Sequence, residues 1–147
     1  MSNRGAMPTN ADRWAVDTSV AVAALDSSHT AHKSCVEIVR RLNPGLAGHA
    51  AFETYSVLTR MPGPLTISGP TATELLRRVF PDVLWLNPKT ARGLVAKFGV
   101  VGITGGGVYD GLIGAAAHQH GCILLTRDQR AKRTYDLLGY RYQLVGP

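Results

Sequence analysis

The segment from Cys122 to Thr126 reads CILLT and shows no alternation between apolar and polar residues. A strand with one face in water would alternate, so this run predicts a strand that is buried on both faces, as the strands of a parallel sheet are. Further short strands are expected near residues 14–17, in PGLAGH as a short strand or turn, in DVLWL and in YRYQLV.

Segments with helical spacing separate these predicted strands. They are SVAVAAL, TAHKSCVEIVRRL, AAFETYSVLTRM, SGPTATELLRRVF, NPKTARGLVAKFG, GGGVYDGLIGAAAHQHG and DQRAKRTYDLLG. Asn87 is expected to cap the helix that follows it, and Gly99 is expected to end that helix. Strands that alternate with helices predict an α/β fold in which helices cover both faces of a parallel sheet.

The length and composition favour one folded domain. A chain of 147 residues has room for a single core. No apolar run approaches the roughly 18 residues that a membrane span needs. The first dozen residues are polar and do not resemble a signal peptide, so residues 1–12 are expected to form a flexible tail.

Cysteine and aromatic residues lie in apolar patterns along the chain. Cys35 and Cys122 are interpreted as buried thiols, which suits a protein of the reducing cytoplasm. Four aromatic residues are predicted to belong to the core and not to a platform for base stacking. They are Trp14, Phe80, Trp85 and Phe98.

Four acidic residues stand out by their surroundings. Asp17 and Asp128 each follow the apolar part of a predicted strand, in WAVDTS and in CILLTRD. In open parallel sheets, ligands gather beyond the carboxyl ends of the strands, so these two acids point to the same edge if their strands are neighbours. Glu53 and Asp110 lie early in predicted helices, where apolar or small neighbours leave no polar face nearby.

Carboxylates that pack together repel one another, and some stay protonated unless a cation neutralises them. Ligands that are all oxygen suit Mg²⁺ or Mn²⁺ in preference to zinc. Such an ion lowers the pKa of a bound water and stabilises the charge that builds on a phosphate. Thr18, Ser19 and Thr126 supply hydroxyls that can hold the carboxylates or a bound water.

Each acid also has a purely structural interpretation. Asp17 and Asp128 could cap the helices that follow them, and Glu53 and Asp110 could stabilise helix N termini through the backbone dipole. These alternatives explain each acid by itself, but they explain the set of four less well.

The balance of charge favours an anionic partner. The formal net charge is +6, and nucleic acid is the first candidate for a basic chain of this size. Because phosphates give affinity without sequence choice, basic residues around an acidic centre fit a nuclease that holds the phosphate backbone of a nucleic acid. The candidates for these backbone contacts crowd around Asp128, although a solvated helix face is the alternative. They are Arg127, Arg130, Lys132 and Arg133.

The motifs VDTSV, AAFETYSVLTR, GGGVYDGLIGAAA and LLTRDQRA resemble, in order and spacing, those of PIN-domain ribonucleases. The closest likeness is to the VapC toxins of bacterial toxin–antitoxin pairs, and it runs from about Trp14 to about Val145. The resemblance implies that residues 13–147 form a PIN nuclease domain. It also implies a PIN-like α/β/α sandwich with a parallel sheet of about five strands, and Mg²⁺- or Mn²⁺-dependent cleavage of structured RNA, such as transfer RNA or ribosomal RNA.

By position, the resemblance implies that Asp17, Glu53, Asp110 and Asp128 bind the metal, with Thr18, Ser19 and Thr126 in support. It further implies a homodimer and a VapB-type antitoxin that threads a segment across the site, often with an arginine against the acids. Gly111 and Gly114 stand where the family generally has alanine. This departure implies either close backbone packing or a looser metal site.

Other functions of α/β proteins also place acids at strand ends. A phospho-receiver domain needs an acidic pair after the first strand and an aspartate after the third, where this chain has VDTS and DVLWLNP. A phosphatase of the haloacid dehalogenase type needs DxD at the first strand, and Ser19 occupies the second acidic position. A catalytically inactive RNA-binding module on the same fold is an alternative that four acids argue against but do not exclude.

Overall fold

The structure, a computed structural model, describes residues 12–146, so the predicted tail lies outside the described residues except for Asp12. Strands and helices alternate along the described chain. In order they are β1 (Trp14–Val16), α1 (Thr18–Leu25), α2 (His32–Leu42), β2 (Gly45–Leu46), α3 (Ala50–Thr59), a 3-10 helix (Gly63–Leu65), α4 (Gly69–Val79), α5 (Pro88–Val101), α6 (Gly107–Gln119), β3 (Ile123–Thr126), a 3-10 helix (Gln129–Ala131), α7 (Lys132–Leu138) and β4 (Tyr142–Leu144).

The strands form one parallel sheet in the order β2-β1-β3-β4. β1 and β3 are its central strands, and every residue of both is buried, which confirms the strands predicted from their unbroken apolar runs. On the helical layers, α1 packs against α2 and α3, and α6 packs against α7 and α5. The architecture is the predicted α/β/α sandwich.

The predicted strand DVLWL contributes only a single parallel bridge between Val83 and Leu46, so the described sheet has four strands. Two backbone hydrogen bonds join this segment to β2, one on each side of the bridge. The Trp85 N–H then turns back to the Val83 carbonyl, which ends the pairing. The interpretation of Trp85 as a core residue is wrong, because its side chain is 49% exposed. Trp14, Phe80 and Phe98 are buried as predicted.

The helix α5 begins as expected, but its end was predicted too early. The Asn87 side chain accepts a hydrogen bond from the Thr90 N–H at 2.8 Å and caps the helix. The helix continues through Gly99 and ends at Val101, and Gly102 caps it in a left-handed conformation with φ of 83°. The Gly102 N–H still reaches the Phe98 carbonyl, so the last turn is closed there and not at Gly99.

The register of the central strands brings distant parts of the sequence together at the carboxyl edge of the sheet. Val16 is paired with Leu125, and the Asp17 N–H donates to the Leu125 carbonyl at 3.1 Å. Asp17 and Thr126 therefore leave the sheet side by side. Both cysteines are buried and free, as predicted. Within residues 12–146, no helix is both long and apolar enough to cross a membrane.

Candidate active site

The four predicted acids converge at the carboxyl edge of the sheet. They line one cavity of about 230 Å³ together with Thr18, Ser19 and Ile113. Asp17 follows β1, Asp128 follows β3, and Glu53 and Asp110 come from the first turns of α3 and α6. The topology thus joins residues that are more than one hundred positions apart in the sequence.

Asp17 is buried, and both of its carboxylate oxygens accept hydrogen bonds. Oδ1 accepts from the Ser19 hydroxyl at 2.6 Å and from the Val20 N–H at 3.3 Å, while Oδ2 accepts from the Tyr135 hydroxyl at 3.1 Å. Burial raises the pKa of Asp17, and these hydrogen bonds act in the opposite direction. Asp17 is therefore the cap of α1 and a wall of the cavity at the same time.

Two hydroxyls connect the end of β1 to the end of β3. The Ser19 oxygen accepts from the Arg127 N–H at 2.8 Å, and it lies 3.5 Å from the hydroxyl of Thr126. Thr126 in turn accepts from the Asp128 N–H at 3.1 Å. The hydroxyls predicted to support the acids thus fix the backbone that carries Asp128.

Glu53 is held from the neighbouring helix. The Thr18 hydroxyl donates to Glu53 Oε1 at 2.6 Å, and His49 Nε2 lies 3.8 Å from Oε2. The Thr18 hydrogen bond joins α1 to α3, whereas the His49 contact lies within the first turn of α3 and its cap. His49 could not be predicted as a site residue, because a histidine at the start of an apolar helix has no distinguishing pattern.

The charges of the other three acids affect the pKa of Asp110. Its pKa is raised to about 6, first by burial and then by the negative charges of Asp128, Asp17 and Glu53, while Arg130 acts in the opposite direction. Repulsion of this kind is expected where carboxylates face one another without a cation. The geometry therefore creates a site that favours a positive charge.

The acids are not arranged as a closed ligand sphere. Among the described residues, no three side chains of His, Cys, Asp or Glu are close enough to hold one metal ion together. The chemistry of the donors, which are all carboxylate oxygens, nevertheless suits a hard divalent cation such as Mg²⁺ or Mn²⁺. The repulsion on Asp110 is the second observation in favour of such an ion.

The four predicted RNA-binding residues differ in their surroundings. The Arg130 side chain is 95% exposed, with Nε 3.7 Å from Asp128 Oδ1, and Arg133 is also exposed. Lys132 is half-buried. Arg127 Nε is buried and has no hydrogen-bond partner among the described residues. Burial raises the pKa of the Cys35 thiol overall, although the positive charge of Arg127 acts to lower that pKa. Only Arg130 and Arg133 are well placed to meet a ligand from solvent.

Comparisons with known proteins identify the family of the chain. Residues 15–137 match the sequence model of the PIN domain. The chain is 45% identical over 125 residues to Ribonuclease VapC27 of Mycobacterium tuberculosis, covering 85% of this chain and 91% of that protein. It is 42% identical over 134 residues to Ribonuclease VapC40 of the same organism, covering 89% and 98%. The chain is a PIN-domain member of the VapC family.

Besides His49, this VapC-family chain contains a second site contact that the sequence did not predict. Tyr135 lies on the buried side of α7, and its hydroxyl reaches Asp17 across the site. Burial and the charges of Asp17 and Asp110 raise the pKa of Tyr135, so the phenol keeps its proton and acts as a donor. The sequence around Tyr135 carries no signal for this contact; only its burial in the structure indicates that the hydroxyl needs a hydrogen-bond partner.

Proposed function

We propose that this chain is the toxin of a type II toxin–antitoxin system and a Mg²⁺- or Mn²⁺-dependent endoribonuclease that cleaves structured RNA, either transfer RNA or ribosomal RNA. The observation that carries the proposal is the approach of Asp17, Glu53, Asp110 and Asp128 within one cavity, where the other acids raise the pKa of Asp110. The names of the two mycobacterial relatives support RNA as the substrate.

The four acids would hold the divalent cation. Mg²⁺ keeps several waters and usually binds only one or two carboxylates directly, so carboxylates that are spaced wider than a closed sphere are compatible with it. When bound, the ion supplies a lowered pKa for the attacking water and a positive charge beside the phosphate. The water oxygen forms a bond to phosphorus, and the bond from phosphorus to the leaving ribose oxygen breaks.

The chain's own residues orient the acids and bind the substrate. Ser19 and Tyr135 hold the two oxygens of Asp17, so this carboxylate cannot rotate freely. The Thr18 hydroxyl likewise holds one oxygen of the Glu53 carboxylate by a hydrogen bond. Arg130 is exposed beside Asp128, and Arg133 is exposed at the start of α7; both would contact phosphates of the RNA backbone.

A VapB-type antitoxin and a second copy of the chain belong to the same proposal. A pocket of four carboxylates is complementary to an arginine carried on an inserted segment, and such a pair would block the cation site directly. Expression of the chain should arrest growth, and co-expression of its antitoxin should restore growth. Sedimentation of the purified chain measures its oligomeric state, which we expect to be a homodimer.

The cleavage test compares purified wild-type protein with two variants on total cellular RNA. We expect cleavage with Mg²⁺ or Mn²⁺, loss of cleavage with EDTA, and loss of at least 100-fold in rate for Asp110→Asn. Glu37→Gln on the exposed side of α2 is the matched control and should cleave normally. Cleavage that is indifferent to EDTA would refute the metal mechanism. Binding of RNA without cleavage under any metal would favour the inactive binding module.

A further inference from the structure

A row of aromatic rings lies on the surface beside the acidic cavity. The ring of Tyr109 stacks on His49 with centroids 5.4 Å apart, His49 lies 6.0 Å from Phe52, and Phe52 lies 5.5 Å from Trp85. Tyr109 is 50% exposed, Phe52 is 61% exposed and Trp85 is 49% exposed. We call these four residues the aromatic strip.

The aromatic strip is assembled from three separate parts of the chain. Tyr109 is on α6, His49 and Phe52 are at the start of α3, and Trp85 follows the bridge to β2. The segment that carries Trp85 is fixed, because the Trp85 carbonyl lies 2.9 Å from His120 Nε2. Rings of this size are usually buried, so a contiguous exposed row marks an interaction site.

The aromatic strip is continuous with the acidic cavity. His49 Nε2 lies 3.8 Å from Glu53 Oε2, and Phe52 and Tyr109 directly precede Glu53 and Asp110 in the sequence. If a phosphate of an RNA strand lies at the four acids, the neighbouring nucleotides of that strand come close to these rings. None of the four rings lines the cavity itself, but the contact of His49 with Glu53 places the aromatic strip at its border. Other exposed apolar residues, such as Val95 and Val100 on α5, are neither cavity residues nor next to them in the sequence.

The chemistry of the rings fits nucleobases better than a protein partner. Every base has a π-face, and stacking of bases on aromatic side chains recurs in proteins that bind single-stranded RNA. His49, Tyr109 and Trp85 also carry polar ring edges that can donate to or accept from a base. Paired bases in an A-form helix do not expose their faces, so only unpaired nucleotides can use such a surface.

We propose that the aromatic strip is a base-stacking site that holds unpaired nucleotides next to the phosphodiester bond that is cut. The inference rests on the proposed ribonuclease function and adds the residues that select an unpaired segment of the RNA. Because stacking does not read hydrogen-bonding edges, the aromatic strip contributes affinity with little choice of sequence.

Binding is measured with EDTA present, so that the test does not depend on cleavage. The probes are a short single-stranded oligoadenylate, the same length with abasic sites, and an RNA duplex. Trp14 is buried, so quenching of tryptophan fluorescence reports on Trp85. We expect the oligoadenylate to quench this fluorescence and the abasic strand not to do so.

Substitutions separate the aromatic strip from the rest of the surface. Trp85→Ala and Phe52→Ala should each weaken binding of the single strand about tenfold, which is within the range for loss of one stacked base, and should leave duplex binding unchanged. Val95→Ala, which removes exposed apolar surface elsewhere, should bind normally. Tyr109→Ala is a third variant of the aromatic strip and should weaken binding of the single strand in the same way. Circular dichroism verifies that each variant is folded.

The outcomes distinguish this inference from the proposed function. Normal single-strand binding by both Trp85→Ala and Phe52→Ala would overturn the base-stacking site, even if the protein cleaves RNA with metal. If these variants bind RNA normally but sediment as a smaller species, the aromatic strip is a contact between copies of the chain, which also overturns it. Binding that depends on the aromatic strip without any cleavage would support the site and refute the nuclease.

Discussion

The buried hydroxyl of Tyr135 donates a hydrogen bond to Asp17 Oδ2 at 3.1 Å, and this contact joins α7 to the end of β1. It completes the set of donors around the most buried of the four acids. Partners of this kind orient metal-binding carboxylates, and their loss typically costs 10- to 100-fold in metal affinity or activity.

We therefore expect Tyr135→Phe to reduce RNA cleavage about tenfold and to raise the Mn²⁺ concentration needed for half-maximal rate. The phenyl ring keeps the packing and removes only the donor. Tyr142→Phe is the matched control. The Tyr142 hydroxyl donates a hydrogen bond of 2.9 Å to Asp136, and neither of these residues lines the cavity. An unchanged Mn²⁺ midpoint in Tyr135→Phe would show that this contact does not orient Asp17 for the ion.

Asp110 predicts a particular dependence of stability on pH. Its pKa in the folded protein is raised to about 6, above the value of 3.8 for an unperturbed aspartate. Between these values the folded state binds more protons than the unfolded state, so metal-free stability falls as the pH rises through this window. Because the side chain is only half-buried, solvent screening limits the effect to about 1 kcal/mol.

Asp110→Asn should remove the fall in stability that ionisation of Asp110 causes. The metal-free variant should therefore be more stable than wild type at pH 7.5, as measured by urea unfolding in EDTA. Asp26→Asn is a control of opposite sign. Hydrogen bonds from Ser28 lower the pKa of Asp26, so its carboxylate stabilises the fold and its loss should destabilise the protein. Equal stabilities of wild type and Asp110→Asn at pH 7.5 would argue against repulsion among the acids.

Two helix glycines, Gly114 on α6 and Gly99 on α5, are expected to respond in opposite ways to substitution by alanine. A Cβ at Gly114 would lie 2.5 Å from the Tyr140 ring and 3.2 Å from the Tyr135 ring, so close packing requires glycine there. We expect Gly114→Ala to destabilise the protein by about 1–2 kcal/mol. Gly99→Ala on the open side of α5 should stabilise it by about 0.5–1 kcal/mol. Thermal unfolding of both variants tests this, and stabilisation by Gly114→Ala would contradict the packing.

The exposed arginines predict a change in salt dependence. Arg130→Ala and Arg133→Ala should each reduce the slope of log affinity against log salt by about 0.7 for single-stranded RNA, because each loss removes one phosphate contact. Arg127→Ala should lower the stability of the protein and leave this slope nearly unchanged, because part of the Arg127 side chain is buried. An RNA titration at several salt concentrations measures the slopes. Identical slopes for wild type and Arg130→Ala would exclude Arg130 from the phosphate contacts.

The parts of the site that the sequence predicts are those that follow from sheet topology. Parallel strands bring their carboxyl ends to one edge, so Asp17 and Asp128 could be placed together before any coordinates. Glu53 and Asp110 could be added because their apolar surroundings at helix starts offer no polar face, although each could also stabilise a helix N terminus. The hydroxyls of Thr18 and Ser19 followed from their place beside Asp17.

The parts that could not be predicted depend on contacts between distant residues. Nothing near Tyr135 in the sequence indicates that its hydroxyl meets Asp17, which lies 118 positions away. The apolar run DVLWL looks like a buried strand, but the backbone turns after Val83 and leaves Trp85 at the surface. The aromatic strip therefore emerges only when three separate segments are brought together.

Direct binding of Mn²⁺, measured by electron paramagnetic resonance on the purified chain, tests the central claim that the four carboxylates form a cation site. We predict saturable binding by the wild-type protein and by Glu37→Gln, and loss of that binding in Asp110→Asn. Equal binding by Asp110→Asn and wild type, or no saturable binding by the wild-type protein, would contradict the account.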